Sequence, residues 1–308
     1  MDTKLFARHQ PGGMFSIVDR QWFPEGNIWW VDSTETTNGA DSAGYGKNPD
    51  APFLTLVYAE SAAAAGDTIF VMPGHTETLS SATGAAVLTV NLARLKIIGL
   101  GGMTTKPTFL IDGHANNYIS VAAADIVFEN LCFKSGHADV AKGFSVSAAG
   151  VEFRNCQFLE NTTAENFLVT IQTTAAGDDL KITNCTFDGV TQATECIELV
   201  GANNRTVITD NKINGLFSVS AISNTTAPCL GIDISRNYIA NHATAGNDLA
   251  GAIDLNGNST GWICDNRIYL GDDTDCLTAI DGGYCVRGGN LAMNEYDEEG
   301  GVAGSAST

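Results

Sequence analysis

The chain of 308 residues carries 35 acidic and 16 basic side chains, which gives a formal net charge of −19 at pH 7. That excess argues against nucleic-acid binding, which needs a basic surface, and against anionic membranes or polyanionic substrates as partners. Hydrophobic residues make up 44% of the chain, enough for a substantial core, and no apolar run approaches the ~18 residues of a transmembrane helix.

The first 30 residues are predicted to form an arm outside the repeats that follow. The arm has no apolar stretch of signal-peptide length, so we do not expect classical secretion. It is rich in aromatic residues, which are favoured at interfaces, and it can either fold over the end of its own chain or dock on another subunit. The candidate assembly anchors are Phe6, Phe15, Trp22, Phe23, Trp29 and Trp30.

Residues 31–66 are predicted to form a first strand, a loop and a short capping helix. Leu56 and the alanine-rich stretch 59–65 suit an amphipathic helix over the open end of the core, and Gly66 ends it. The first full strand is expected at 68–72. A cap is needed because the end of a stack of strands exposes apolar side chains and unpaired backbone groups.

Residues 67–293 contain one short pattern six times. Each copy alternates in polarity and ends in a polar group, one further residue and an apolar anchor, and successive anchors are 25, 29, 26, 26 and 29 residues apart. A period in the twenties indicates one structural unit stacked on copies of itself. The copies are IVFENLCF (126–133), VEFRNCQF (151–158), LKITNCTF (180–187), VITDNKI (207–213), DISRNYI (233–239) and WICDNRI (262–268), with anchors Phe133, Phe158, Phe187, Ile213, Ile239 and Ile268.

The alternation has a period of two, which is typical of a strand. Its phase slips at Asn155–Cys156, and such a slip indicates a corner or bulge. Stretches between the copies, such as 172–179, have the Gly, Asn, Thr and Ala content of turns and no helical period. The leucine-rich framework is absent as well, so the sequence predicts an all-β solenoid of parallel strands. It would have about eight or nine turns stacked at about 4.8 Å.

The residue two positions before each anchor forms a second predicted column. Like residues follow like in this column, which is what stacking of successive turns favours. Its members are Leu131, Cys156, Cys185, Asn211, Asn237 and Asn266, and we expect them to form a core ladder with the anchors.

These repeats resemble the right-handed parallel β-helix proteins of the pectin-lyase-like superfamily. The segment 27–79, with PFLTL, an alanine-rich helix and GDTIFVMPG, resembles the capped N-terminal end of such proteins, including those among tailed-phage virion genes. The resemblance implies a right-handed parallel β-helix over roughly residues 27–290. It says little about activity, because this fold hosts lyases, hydrolases, adhesins and viral structural proteins.

The cysteines show no metal-binding or redox spacing. Four of the eight lie within strand patterns, where a free thiol behaves as a small hydrophobic group, so we expect reduced core thiols. A disulfide between Cys156 and Cys185 in neighbouring turns is the alternative. The eight are Cys132, Cys156, Cys185, Cys196, Cys229, Cys264, Cys276 and Cys285.

No catalytic constellation stands out from the sequence. The hydrolases of the resembling superfamily combine clustered aspartates with Gly-His-Gly and Arg-x-Lys, and neither motif is present. The acidic candidates, 178–179, 272–273 and Asp210, read as turn formers. The histidines lack metal-binding spacing, and His75 follows a Pro-Gly turn where a structural role is expected. We therefore predict no catalytic residue, metal or cofactor, and leave enzymatic activity open.

Basic and aromatic residues in the repeats offer a few further candidates. Lys181, Arg205, Lys212, Arg236 and Arg267 are the basic residues that an elimination reaction would need, and Arg236 and Arg267 could form a ladder on one face. Trp262, Tyr238 and Tyr269 are the main aromatic residues there, and the two tyrosines each adjoin an anchor. They could stack on adjacent turns as a sugar platform or an intersubunit contact.

Residues 294–308 form an acidic tail that ends in small residues. Together these features favour a non-enzymatic virion protein of a tailed bacteriophage, assembled in the host cytoplasm as a trimeric capsid decoration or cement protein. Its expected partners are copies of itself and other virion proteins such as the major capsid protein, and a glycan is a further candidate. The alternatives are a tail fibre or spike, a polysaccharide lyase or hydrolase, and a surface adhesin.

Overall fold

The fold of this protein is formed mainly by pairing of parallel strands. The computed structural model describes residues 26–224, 226–242, 251–271, 279–294 and 301–302. The N-terminal half runs β1 Ile28–Val31, α1 Leu56–Ala62, β2 Thr68–Val71, β3 Thr76–Ser80, β4 Ala86–Val90, β5 Lys96–Gly99, β6 Thr108–Asp112, β7 Tyr118–Val121, β8 Val127–Glu129, β9 Cys132–Ser135, β10 Phe144–Val146, β11 Glu152–Arg154, β12 Gln157–Glu160 and β13 Val169–Thr173. The remainder runs β14 Lys181–Thr183, β15 Thr186–Glu198, β16 Val207–Thr209, β17 Lys212–Asn224, β18 Leu230–Ser235, β19 Tyr238–Asn241, β20 Ile253–Leu255, β21 Thr260–Cys264, β22 Arg267–Leu270, β23 Ile280–Asp281, β24 Val286–Gly288, β25 Leu291–Asn294 and β26 Gly301–Val302.

Three faces wind around one core. The first face has the order β1-β2-β5-β8-β11-β14-β16-β18-β21-β24, and the second has the order β3-β6-β9-β12-β15-β17-β19-β22-β25 with β26 antiparallel on β25. The third face joins β4, β7, β10 and β13 to the far ends of β15 and β17, and then to β20 and β23. The prediction of an all-β parallel β-solenoid with one short helix is confirmed, with about 8 turns.

Inward side chains stack in columns along the core. Register pairs the predicted anchors in one line from Phe133 to Ile268, through Phe158, Phe187, Ile213 and Ile239. The Phe158 and Phe187 rings stack with centroids 4.6 Å apart. Because each turn repeats the inward positions of its neighbour, apolar side chains cover one another along the axis instead of meeting in a single centre.

The corner between the first and second faces is a single residue in the left-handed region. Asn155, for example, has φ of 52°, so the slip predicted at Asn155–Cys156 is a corner. Asn and Asp tolerate this conformation because their short side chains bond to nearby backbone. The corner positions in successive turns are Asn130, Asn155, Asn184, Asp210, Arg236 and Asp265.

The residue after each corner points inward, and in the later turns it is asparagine. The Asn211 amide donates to Asn237 Oδ1 at 3.0 Å, the Asn237 amide donates to Asn266 Oδ1 at 3.0 Å, and the Asn266 amide donates to Asn290 Oδ1 at 2.9 Å. Each of these side chains is almost fully buried. The column therefore satisfies its own polar groups from turn to turn. Leu131, Cys156 and Cys185 occupy the same position in earlier turns.

The N-terminal end is closed by α1, which ends earlier than predicted. Thr55 caps the helix and accepts from the Tyr58 N–H at 3.2 Å, while Ala63 is already extended. The chain leaves the helix there because the Asp67 carboxylate accepts from the Ala64 N–H at 2.9 Å and holds a turn. No helix within the described ranges is long and apolar enough to cross a bilayer.

Two further features mark the ends of the stack. β1 spans the predicted boundary between arm and first strand and pairs with β2, so the first face begins at Ile28. At the other end the inward column Ile208–Ile234–Ile263 continues to Arg287, whose guanidinium donates to the Ile280 carbonyl at 3.0 Å. Among the described strands β24 pairs only with β21.

Candidate functional site

Carboxylates gather on the third face of the later turns. Register places Glu198 beside Ser223, Ser223 beside Asp254, and Asp254 beside Asp281, all on outward positions. Neighbouring strands lie about 4.8 Å apart, so Glu198 and Asp254 are separated by about 10 Å along the stack. We call Glu195, Glu198, Asp254 and Asp281 the acidic face.

Glu195 is the most buried member of the acidic face, with 9% of its surface exposed. The Ser223 hydroxyl donates to Glu195 Oε1 at 2.8 Å. Burial raises the pKa of Glu195, and the negative charges of Glu198 and Asp254 raise it further, while the Ser223 hydrogen bond opposes both. Burial and the charge of Asp281 likewise raise the pKa of Asp254.

This arrangement places two carboxyl groups whose pKa is raised, Glu195 and Asp254, close to further carboxyl groups on the same face. Glycoside hydrolysis needs such a pair, one group as general acid and the other as base or nucleophile. Within the described ranges no three metal-binding side chains lie close enough to hold an ion. Sequence patterns do not predict the acidic face, because its members come from different turns and only the strand register brings them together.

The acidic pairs that the sequence offered have a structural role instead. Arg205 donates to both Asp179 oxygens, at 2.6 Å and 2.7 Å, and Arg236 makes the same two bonds to Asp210, each at 2.8 Å. The hydrogen bonds from Arg205 lower the pKa of Asp179. These pairs tie consecutive corner residues together, as the turn-former interpretation expected. Asp272 and Asp273 lie outside the described residues.

The tyrosine and arginine ladders expected from the sequence are wrong. Register sets Tyr238 beside Arg267, whereas Tyr269 lies beside Ala240, so the tyrosines occupy different columns. One tyrosine precedes its anchor and the other follows it, which puts them on opposite sides of the anchor column. Arg236 lies at a corner, away from Arg267 on the second face.

A basic column takes the place of those ladders. Lys212, Tyr238 and Arg267 follow one another in register on the second face, and all three are exposed. We call them the basic strip. Leu291, also exposed, continues the column in the next turn.

The first face of the last turns carries exposed apolar side chains. Trp262 has 59% of its surface exposed and lies beside Val286, which is exposed as well. Tyr284 adds a third exposed side chain at the corner that leads into β24. We call Trp262, Tyr284 and Val286 the apolar patch. Only Trp262 had been singled out from the sequence, and there as a sugar platform.

Two of the six predicted assembly anchors lie within the described residues, and both contact their own chain. Trp29 is buried, donates its indole N–H to Asp67 Oδ2 at 2.8 Å and stacks on Phe53. Trp30 is half-buried and packs against Phe70 with ring centroids 5.2 Å apart. Phe6, Phe15, Trp22 and Phe23 lie outside the described residues.

His75 links the cap to the first turn. Its Nδ1 accepts from the Ser33 N–H at 3.0 Å, so Nε2 carries the proton toward Glu77 at 3.3 Å. Glu77 in turn accepts from the first N–H of α1, on Leu56, at 2.7 Å. The structural role expected for His75 at this corner agrees with these contacts.

The cysteines of the described residues are free thiols, and most are buried. Cys156 and Cys185 follow one another in the column that continues as asparagines, and the Cys185 N–H donates to Asn211 Oδ1 at 2.8 Å. Burial raises the pKa of Cys185 and Cys196 well above the ordinary thiol value. These thiols are therefore protonated and serve as small core groups. Cys276 lies outside the described residues.

The strand pairing defines a parallel β-helix. No protein-family model and no curated protein matches the chain. Three solved structures are similar to it. A rhamnogalacturonan lyase is 12% identical with a TM-score of 0.44, over 79% of this chain and 74% of the other. The pectate lyase Pel9A is 14% identical with a TM-score of 0.45, over 91% and 82%. A family 136 lacto-N-biosidase from Eubacterium ramulus is 11% identical with a TM-score of 0.46, over 85% and 57%. The likeness is one of fold and carries nothing about function.

Proposed function

We propose that this chain is a non-enzymatic structural protein of a tailed-bacteriophage virion and acts there as a trimeric capsid decoration or cement protein. The observation that carries the proposal is the apolar patch. A tail fibre or spike would use the same surface on a different part of the particle. The N-terminal sequence, which resembles β-helix proteins among phage virion genes, gives independent support.

Trp262 is the aromatic residue of its column. In earlier turns the positions in register with it carry Glu152, Lys181, Val207 and Asp233, so apolar side chains recur there but no other ring does. A large exposed tryptophan beside an exposed valine is typical of a contact that another molecule covers, because aromatic residues supply most of the affinity in protein interfaces. In this proposal that molecule is the major capsid protein or another virion protein.

Co-sedimentation with decoration-free capsids of the encoding phage tests the proposal. The wild-type chain should bind in fixed copy number, and the double variant Trp262→Ser/Val286→Ser should lose binding by about tenfold or more. Val190→Ser is the matched control, since Val190 is equally exposed on the second-face strand β15. Binding that survives the double variant, or a wild-type chain that binds no part of the particle, would overturn the proposal.

A second candidate function rests on the acidic face. The buried Glu195 has a raised pKa and lies among other carboxyl groups of the acidic face, and a glycoside hydrolase needs such a pair of carboxyl groups. In this candidate Glu195 is the general acid and Glu198 or Asp254 is the base. Release of reducing ends from neutral and acidic polysaccharides would be measured for wild type, Glu195→Gln and the corner control Asp179→Asn. Turnover that Glu195→Gln abolishes and Asp179→Asn retains would support it, and an inactive wild type would remove it.

A further inference from the structure

The basic strip is unusual on a chain with a net charge of −19. Among the described residues no carboxylate forms an ion pair with Lys212 or Arg267, whereas Arg154, Arg205 and Arg236 all do. The strip thus presents two uncompensated positive charges with an exposed aromatic ring between them. Tyr238 has 46% of its surface exposed.

The acidic face is uncompensated in the same way. Glu198 accepts from the Gln172 amide at 2.6 Å and Glu195 accepts from Ser223, so their partners within the described residues are neutral. No ion pair of the described residues includes Asp254 or Asp281. Burial is the larger cause of the raised pKa of Asp254, and the negative charge of Asp281 adds to it.

The two surfaces lie at the same height on adjacent faces of the solenoid. Lys212 is on β17, one turn after the strand β15 that carries Glu195 and Glu198. Tyr238 and Asp254 belong to the next turn, and Arg267 and Asp281 to the turn after that. Tyr238 and Arg267 therefore each have a carboxylate of the acidic face in their own turn.

We propose that the basic strip of one copy docks on the acidic face of a second copy, and that repetition of this contact closes the homotrimer. This inference depends on the trimer of the proposed function and specifies the interface that holds the trimer together. A ring whose axis runs parallel to the solenoid keeps every copy at the same height, so its two contacting surfaces must lie on the same turns. The strip and the acidic face meet that requirement in two turns, those of Tyr238 with Asp254 and of Arg267 with Asp281.

The distribution of charge favours a second copy of this chain as the partner that binds the basic strip. Most of this surface is negative and repels another copy, so attraction is confined to places where a positive column meets a negative one. Tyr238 and Leu291 add exposed apolar surface to the strip, which the contact would bury. Specificity comes from the opposed charges, and the tyrosine supplies an anchor between them.

Charge-reversal variants of each surface, alone and combined, test the interface. Lys212→Glu/Arg267→Glu inverts the strip, and Glu198→Lys/Asp281→Lys inverts the acidic face. Each double variant should raise the dissociation constant of the trimer by at least about tenfold in analytical ultracentrifugation, because like charges then oppose each other. The quadruple variant should restore assembly. Lys47→Glu/Lys181→Glu, with the same charge change at exposed sites elsewhere, is the matched control and should assemble normally.

Salt provides a measurement on the unaltered protein, independent of how the variants fold. Raising the ionic strength to about 1 M shortens the screening length to about 3 Å and should weaken the wild-type trimer markedly. A trimer that resists salt and both reversals would overturn this interface while leaving the oligomer in place. Failure of the quadruple variant to recover would also overturn it, because the two surfaces would then meet something other than each other. A wild-type monomer at all concentrations would remove both the interface and the trimer, while capsid binding by the apolar patch would still be decided by co-sedimentation.

Discussion

Replacing Asn237 with alanine should destabilise the protein by about 4 kcal/mol. The Asn237 side chain makes four hydrogen bonds from a fully buried position. Its amide donates to the Ile208 carbonyl at 2.8 Å and to Asn266 Oδ1 at 3.0 Å, and its oxygen accepts from the backbone and side-chain N–H groups of Asn211, both at 3.0 Å.

The magnitude follows from the groups that lose a partner. Asn237→Ala takes away the acceptor of the buried Asn211 N–H and a donor to the Ile208 carbonyl, and each deprived group costs about 1–3 kcal/mol. Water cannot easily replace the lost bonds, because the column is closed on both sides by neighbouring turns. The sum, about 4 kcal/mol, is a large fraction of the stability of a typical domain.

Urea unfolding followed by tryptophan fluorescence measures the change. Asn258→Ala, in an exposed turn, is the control and should stay within about 0.5 kcal/mol of wild type. In the double variant Asn211→Ala/Asn237→Ala the shared bonds are lost only once, so the two effects should fall short of additivity by about 0.5–3 kcal/mol. A loss below about 1 kcal/mol for Asn237→Ala, or full additivity, would refute the view that the asparagines stabilise one another.

Three other changes probe the core, the acidic face and a corner. Phe153→Ala empties a fully buried ring position and should cost about 3–5 kcal/mol in chemical denaturation, and a loss under about 1 kcal/mol would contradict the stacked core. Because the pKa of Glu195 is raised in the folded protein, wild type loses stability as the pH rises above the ordinary glutamate value of about 4.3. Glu195→Gln should therefore gain stability relative to wild type as the pH is raised through that range. A pH-independent difference would count against the buried carboxyl. In Gly261→Ala the added methyl group would overlap the Ile232 backbone, so the melting temperature should fall. Gly231→Ala is the control, because Gly231 also has a positive φ but has open space around it, and its melting temperature should fall less. Equal effects of the two substitutions would contradict the close approach of Gly261 to Ile232.

The repeat, its period and its corners could be predicted because each depends on residues that are close together in the sequence. An anchor such as Phe158 lies at a fixed distance from its corner at Asn155, and both recur within every turn. The phase slip reveals the corner, since a left-handed residue reverses which side chains point inward. The end of α1 was placed too late because alanine favours a helix, whereas the bond from Ala64 to the Asp67 carboxylate favours a turn.

The surfaces could not be predicted because they depend on register between distant strands. Glu198 and Asp254 become neighbours of Ser223 only through two pairings that span turns of different length. The position relative to the anchor matters as well. Tyr238 lies one residue before its anchor and Tyr269 one residue after, and that difference of two positions places them in different columns. Outward positions also lack the hydrophobic constraint that makes inward ones recognisable.

Arg287 ends the apolar inward column of the first face among the described strands. Ile208, Ile234 and Ile263 each offer the next strand an apolar side chain to cover. A further strand in the same register on β24 would have to cover an inward guanidinium, and burying that charge is costly. Edge strands with inward-pointing charges resist pairing with foreign chains. Together with β26, which lies antiparallel on β25, the arginine discourages further parallel strands from adding at this end.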